Sequence, residues 1–313
     1  MRPFHFLADA RAPASGKELA EKARRAEATG FHALVVPDHL LDQFSPVPAM
    51  AAIAMATERL RVAAFVVNND LRHPAVLAQD LASIDVISGG RLDVAIGAGW
   101  NRAEYEAIGL RFDPTPVRQA RLEEAVTVLK GLFADGPFSF RGEHYTITDY
   151  DAGPRPVQQP HPPFLIGGGG RRTLTLAGRE ADIVGLAPRI AKNGRVDPHS
   201  LTFEAAAEKI EWVRAAAGGR FDGLELNVYP STWPITVTDD VHAEARKVID
   251  SLRERTGVEM TEAAILDSPH LFIGSIDRLV EKFESLRERL GISSFMVGEM
   301  EELTPVVERL AGR

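Results

Sequence analysis

Ala33-Leu34-Val35-Val36-Pro37-Asp38-His39 decides the fold. Three consecutive aliphatics, two of them β-branched, run into a proline and then an acid–histidine pair. The run shows no polar alternation, which reads as a strand buried on both faces, as in a parallel sheet. Pro37 ends the ladder because it has no amide hydrogen to donate. Asp38 and His39 are thereby delivered at the carboxyl end of a buried strand, the edge where parallel α/β folds bind ligands.

The same rhythm extends in both directions. Upstream, Phe4-His5-Phe6-Leu7 reads as a first strand. Ser15 and Glu18 make a capping-box pattern before the helical face Leu19, Ala20, Ala23 and Ala26, and Gly30 stands where a C-cap glycine belongs. Downstream comes a small-residue helix over about 48–57, then the strand Val62–Val67, which ends in Asn68-Asn69-Asp70. Pro74 opens a helix closed by Gly89-Gly90, and the strand Leu92–Ile96 runs into Gly97-Ala98-Gly99-Trp100. Further strands are expected at Pro163–Ile166, Ile183–Leu186, Leu224–Val228 and Ser294–Val297, with helices over about 203–217 and after Ser275. Eight strands alternating with helices close into a (β/α)8 TIM barrel of the α/β class. A doubly wound sheet fits less well, since no glycine fingerprint follows the first strand. The reading is one domain over 1–313 with insertions after strands 4 and 7, at about 101–162 and 229–272. The first insertion holds a helix over about 118–133 and a hairpin, Phe138–Phe140 with Tyr145–Ile147; the second holds a helix over about 240–256.

The chain has 313 residues and a formal net charge of -8, too acidic for general nucleic-acid binding. It has no cysteine, which excludes disulfides, thiolate metal sites and cysteine nucleophiles. No apolar run is long enough to span a bilayer, and the first residues resemble neither a secretory signal nor a transit helix. A cytoplasmic protein acting on a small molecule, away from membranes, is the expectation.

In a barrel, the segments just past the strands converge on one mouth. Gly167-Gly168-Gly169-Gly170 lets the backbone approach a ligand closely, and the helix that follows adds its positive end, with Arg171 and Arg172 beside it. This favours a phosphate site over a plain turn. Gly97-Ala98-Gly99 reads equally as a gap that passes a flat ring and as a tight strand exit beside Trp100. Asp38-His39 reads as an acid/base pair, a fragment of a metal site, or a capping aspartate next to a surface histidine; a barrel strand end favours the first. The other histidines show no ligand spacing, so no metal is expected. No lysine falls at a strand end, which argues against a Schiff-base enzyme. A glycosidase would need two carboxylates to share the mouth with the phosphate site. Glycine gaps, one phosphate site and one histidine suit a bound cofactor.

Val36-Pro37-Asp38-His39-Leu40, His73-Pro74, Ser88-Gly89-Gly90-Arg91 leading to Gly97-Ala98-Gly99-Trp100, and Ile166 with its glycine run together resemble the luciferase-like monooxygenase superfamily. The nearest branch is the one that uses the deazaflavin coenzyme F420. The resemblance implies a (β/α)8 barrel with a ring cofactor across its top. It implies that His39 lies beside the reactive carbon of the ring, with Asp38 orienting His39 or the ring. It implies a bulge with a non-prolyl cis peptide in the third strand, around Phe65-Val66 and ahead of Asn68. It implies a cofactor phosphate on Gly167, Gly168 and Gly169, with Gly170 and Arg171 close by. Trp100 stands where the glucose-6-phosphate dehydrogenase branch has a glutamate, which argues against sugar-phosphate oxidation. Many members pair through barrel helices, so a homodimer is expected.

The resulting expectation is an F420-dependent oxidoreductase that transfers hydride to or from an unidentified organic substrate. His39 and Asp38 are its catalytic pair. Phe65, Val66, Asn68, Gly97, Gly99, Trp100 and the glycine run line the cofactor. Its rivals are a monooxygenase using reduced FMN and oxygen, a non-catalytic F420-binding protein, and a barrel hydrolase that leaves the glycine run unexplained.

Overall fold

The computed structural model describes residues 1–10, 14–191, 194–230, 233–298 and 300–313. The expected strands are all present: β1 (His5–Asp9), β2 (Ala33–Val36), β3 (Arg61–Ala64), β4 (Leu92–Gly97), β5 (Phe164–Gly168), β6 (Ile183–Leu186), β7 (Glu225–Val228) and β8 (Ile292–Gly298). They make one parallel sheet that closes on itself where β3 pairs with β4, an eight-stranded (β/α)8 barrel. The helices are α1 (Gly16–Thr29), α2 (Pro46–Ala56), α3 (Pro74–Ser88), α4 (Arg102–Ala107), α5 (Thr115–Phe133), α6 (Arg171–Glu180), α7 (Phe203–Ala217), α8 (Val241–Thr256), α9 (Glu262–Asp267), α10 (Ile276–Leu290) and α11 (Thr304–Leu310). Two compact units divide the chain. The early unit holds Ala10–Glu27 and Leu34–Leu165; the late unit holds Met1–Asp9, Ala28–Ala33 and Ile166–Arg313.

In the early unit, Leu34, Val35 and Val36 are buried, the two-sided burial that an unbroken aliphatic run requires. The capping box at α1 forms with a variation. The Glu18 amide donates to Ser15 Oγ at 3.2 Å, but the Glu18 carboxylate accepts from Ala14, one residue earlier than the motif prescribes. The third strand carries a bulge. Ala63 faces Asp93, a separation of 30 residues, whereas Val67 faces Ile96, a separation of 29. One extra residue therefore sits between them, at Phe65-Val66, whose peptide bond is cis.

Ser88-Gly89-Gly90-Arg91 holds this unit together at the other end of its strands. Gly89 closes α3 in the left-handed conformation, with φ 67°. The Arg91 guanidinium then donates to the carbonyls of Ala54, Thr57, Leu60 and Ser88 at 2.7–3.1 Å. One side chain satisfies the loose carbonyls at the ends of α2 and α3 and at the entry to β3.

The first insertion contains α4, α5 and the antiparallel hairpin of Phe138–Arg141 with Thr146–Tyr150. Glu124 of α5 accepts the amides of Glu143, His144 and Tyr145 at 2.7–3.0 Å and so fixes the hairpin turn.

In the late unit, β8 lies between β1 and β7, and β6 lies beside β7. Its core is aromatic. The Phe283 ring of α10 lies 5.3 Å from Phe6, 4.6 Å from Phe295 and 5.0 Å from Phe272. In the second insertion, Val241, Ala245, Val248 and Leu252 of α8 with Met260, Ile265 and Leu271 form an apolar cluster that also takes in Leu201 and Ile273. Residues 231 and 232 of this insertion lie outside the described residues.

Candidate active site

In the early unit the site grows from the ends of β2, β3 and β4. Pro37 ends the β2 ladder, and its carbonyl accepts from Gln43 Nε2 at 2.7 Å. Asp38 follows, 5% exposed. Its two oxygens accept from Arg72 at 2.6 and 3.1 Å, and one also accepts the Asn68 amide at 2.9 Å. This bidentate arrangement is the strong form of a carboxylate–guanidinium pair. Asp38 is thus spent on tying the end of β2 to the segment after β3. The sequence expectation is that Asp38 orients His39 or the ring; in the structure its carboxylate meets Arg72 and Asn68, and another acid meets the histidine.

That acid is Glu104 of α4. His39 Nδ1 lies 2.9 Å from Glu104 Oε1, and Asn101 Nδ2 donates to the same oxygen at 2.7 Å. Glu104 is 7% exposed. The Trp100 indole stands edge-on to the His39 ring at 5.7 Å and is 57% exposed.

A second polar layer braces these residues. Tyr105 is fully buried and its hydroxyl lies 2.9 Å from Asn68 Oδ1 and 3.1 Å from Asp70 Oδ2. Burial and the Asp70 charge push Tyr105 up to about 12, so its hydroxyl keeps its proton and donates. Arg121 spans Asp70 at 2.7 Å and Asp113 at 2.5 Å. Arg118 donates to the carbonyls of Ala98 and Gly99 and lies 4.1 Å over the Phe112 ring; burial draws its pKa below the ordinary arginine value.

This layer accounts for the fourth-strand glycines. A side-chain carbon on Gly99, at φ +73°, would fall 2.0 Å from the Tyr105 hydroxyl, and one on Gly97 would fall 2.8 Å from Val66. Both gaps are filled by the protein itself, so the two glycines mark a tightly packed strand exit. The early-unit residues named from sequence do meet: His39 with Trp100, Asp38 with Asn68, Val66 with Gly97, and Asn68 with Gly99. Phe65 sits at the bulge.

In the late unit, Gly167 and Gly168 close β5, and Gly170 is the N-cap of α6 without any side-chain cap. Packing explains part of the run. A side-chain carbon on Gly169 would lie 2.5 Å from the Pro188 carbonyl oxygen, and one on Gly168 would meet Thr173. Gly170 faces open space. The first turn of α6 has no acid, and it holds Arg171, which is exposed. An anion fits here on charge and on the missing cap. Among the described residues no cluster of three or more His, Asp or Glu has metal-holding geometry.

The family model for luciferase-like monooxygenases matches residues 1–294. The chain belongs to the luciferase-like monooxygenase family. Among the relatives of this luciferase-like protein, an FMNH2-dependent dimethylsulfone monooxygenase of Pseudomonas putida is 31% identical over 208 residues, which are 66% of this chain and 53% of that one. A 5,10-methylenetetrahydromethanopterin reductase of Methanopyrus kandleri is 25% identical over 289 residues, 89% of this chain and 76% of that one. The chain thus spans only about half the length of the dimethylsulfone monooxygenase. The solved structure of the coenzyme F420 dependent tetrahydromethanopterin reductase of Methanopyrus kandleri matches with a TM-score of 0.77 and 19% identity, over 99% of this chain and 98% of that one. It shares the fold. Relatives of this luciferase-like protein therefore include both FMNH2-dependent monooxygenases and F420-dependent enzymes. Among the described residues no helix is long and apolar enough to cross a membrane.

Glu104, Arg72, Tyr105 and Arg118 were not singled out from sequence. Only Glu104 left a signal there. Asn101-Arg102-Ala103-Glu104 has capping-box spacing, a pattern that announces a helix start and says nothing of a distant histidine.

Proposed function

We propose that this chain is an F420-dependent oxidoreductase acting on a small organic substrate. The observation that carries the reading is the His39–Glu104 pair at 2.9 Å, at the carboxyl end of a barrel strand. The bound deazaflavin supplies two-electron hydride chemistry. Hydride transfer from an alcohol carbon or to an imine carbon needs a partner that takes up or delivers the accompanying proton, and an imidazole backed by a carboxylate suits that task. His39 holds or releases that proton at Nε2. Asp38 and Arg72 keep Asn68 and the strand ends in place. In the late unit, the uncapped start of α6, Gly170 and Arg171 suit the cofactor phosphate. Trp100 offers an exposed apolar surface beside His39, which favours an apolar or ring-bearing substrate over a sugar phosphate.

The test is a fluorescence titration of the purified protein with F420 and, separately, with FMN. Binding of F420 with little affinity for FMN is expected. Tight FMN binding with none for F420 would move the chain to the second reading, a reduced-FMN monooxygenase, which the Pseudomonas putida relative favours. F420 binding without turnover on alcohol, imine or unsaturated substrates would mark a carrier protein.

A further inference from the structure

Glu104 occupies the third position of α4, and its helix begins with Asn101 as N-cap. In a capping box the acid at that position turns back to its own N-cap amide, and the N-cap side chain accepts from the helix. Neither happens here. Asn101 makes no side-chain cap. Its side-chain Nδ2 instead donates to Glu104 Oε1 at 2.7 Å, and that same oxygen faces His39 Nδ1 at 2.9 Å. The helix start forgoes a local stabilising bond worth about 1 kcal/mol, and its acid is aimed at a residue 65 positions earlier.

The geometry points to Glu104 as the positioning residue that sets the tautomer of His39. Oε1 receives the Asn101 N–H, so it acts as an acceptor, and the hydrogen in the second bond belongs to His39 Nδ1. Nε2 is then left as the lone-pair nitrogen, able to accept a proton. A free imidazole prefers the opposite tautomer modestly, so an acceptor fixed at Nδ1 decides the matter. The charged groups around His39 agree with this assignment. Glu104 approaches from α4, and the Asp38 carboxylate next in sequence is occupied by Arg72. Trp100 closes another side edge-on and offers no acceptor to Nδ1. Glu104 is buried, which strengthens its hold on the ring and keeps water from competing for Nδ1. The inference deepens the reading of His39 as the proton-moving group and rests on it. It concerns the protein alone, and its test needs no cofactor.

The experiment is nitrogen-15 NMR of the His39 ring in the cofactor-free protein above pH 8, assigned by comparison with His39→Gln. The wild type should show a protonated Nδ1 and an unprotonated Nε2. In Glu104→Ala the majority tautomer should reverse. In Glu104→Gln, which keeps an acceptor oxygen, it should persist. A wild-type ring protonated at Nε2 would overturn the inference without any variant, and so would a folded Glu104→Ala whose tautomer is unchanged. If Glu104→Ala fails to fold, the wild-type spectrum still decides. Turnover with F420 adds a second readout. Glu104→Ala should lower kcat at least tenfold while F420 binding stays within about twofold. A Glu104→Ala enzyme that keeps its kcat would remove Glu104 from the proton pathway. The NMR result stands or falls independently of which cofactor binds, so failure here is separable from failure of the F420 reading.

Discussion

Asp38 and His39 are neighbours in sequence with unrelated partners, and their substitutions should separate cleanly. Asp38→Ala leaves a partly buried guanidinium and the Asn68 amide without an acceptor. Breaking such a pair costs about 3 kcal/mol, read as a lower urea midpoint; a loss near zero would mean that water replaces the carboxylate. His39→Ala should barely alter stability and should slow hydride transfer far more than it weakens F420 binding. An unchanged rate would take His39 out of the chemistry. Gly99→Ala forces a carbon towards the Tyr105 hydroxyl from a left-handed backbone. We expect a loss of about 2 kcal/mol, partly relieved in the double variant with Tyr105→Phe. Additive losses would show that the Tyr105 hydroxyl is not the obstacle, leaving Asn68 and the left-handed backbone as the source. The sequence announced the strand end, the proline stop and the histidine, because these are local. It could not announce Arg72 or Glu104, since a partner 34 or 65 residues away leaves no mark on local spacing.

Among the elements, the hairpin turn of the first insertion is gripped by Glu124, while the Tyr145 hydroxyl meets Asn69. Burial pushes the Glu124 carboxyl up, but the three amides of residues 143–145 outweigh it and hold the pKa below the ordinary 4.5. A carboxylate with a depressed folded value stabilises fully above its unfolded value and loses that contribution as pH falls through the folded one. Amide exchange at residues 143–145 should therefore accelerate, relative to α5, only once pH drops below about 4.5, and Glu124→Gln should exchange faster than the wild type above that pH, with the difference closing as the wild-type carboxyl is protonated. Equal protection in the variant would show that the turn holds itself. The hairpin was legible as the two short runs Phe138–Phe140 and Tyr145–Ile147. Helices α4 and α9 were not, because six residues are too few to display a helical period.

For the whole molecule, three buried bases set a pH response. Burial pushes Lys209 down to about 8 and Lys282 down to about 7, and burial with the Lys209 charge pushes His270 down to about 3. Each binds its proton more weakly when folded than when unfolded. The unfolded chain therefore holds more protons between the folded and unfolded values, and stability rises with pH across that window. For His270 the window runs from about 3 to 6.5, and for Lys282 from about 7 to 10.5. Urea midpoints should climb between pH 7 and 9.5, and Lys282→Met should flatten the climb; parallel profiles would rule Lys282 out as its source. The barrel itself was legible because eight aliphatic runs lie between helices. The buried lysines were not, because a lysine on a helix reads as surface until its carbonyl partners are known.

The surplus residue at Phe65-Val66 makes this stretch intolerant of deletion. Side chains alternate along a strand, so deleting one residue there would restore a regular ladder and turn Asn68 to the opposite face. Asn68 is where Asp38 and Tyr105 both attach. Such a deletion would cut two attachments at once. The bulge is locked by its neighbours: changes in the loops around it leave both attachments intact, whereas removing one residue from it loses them together.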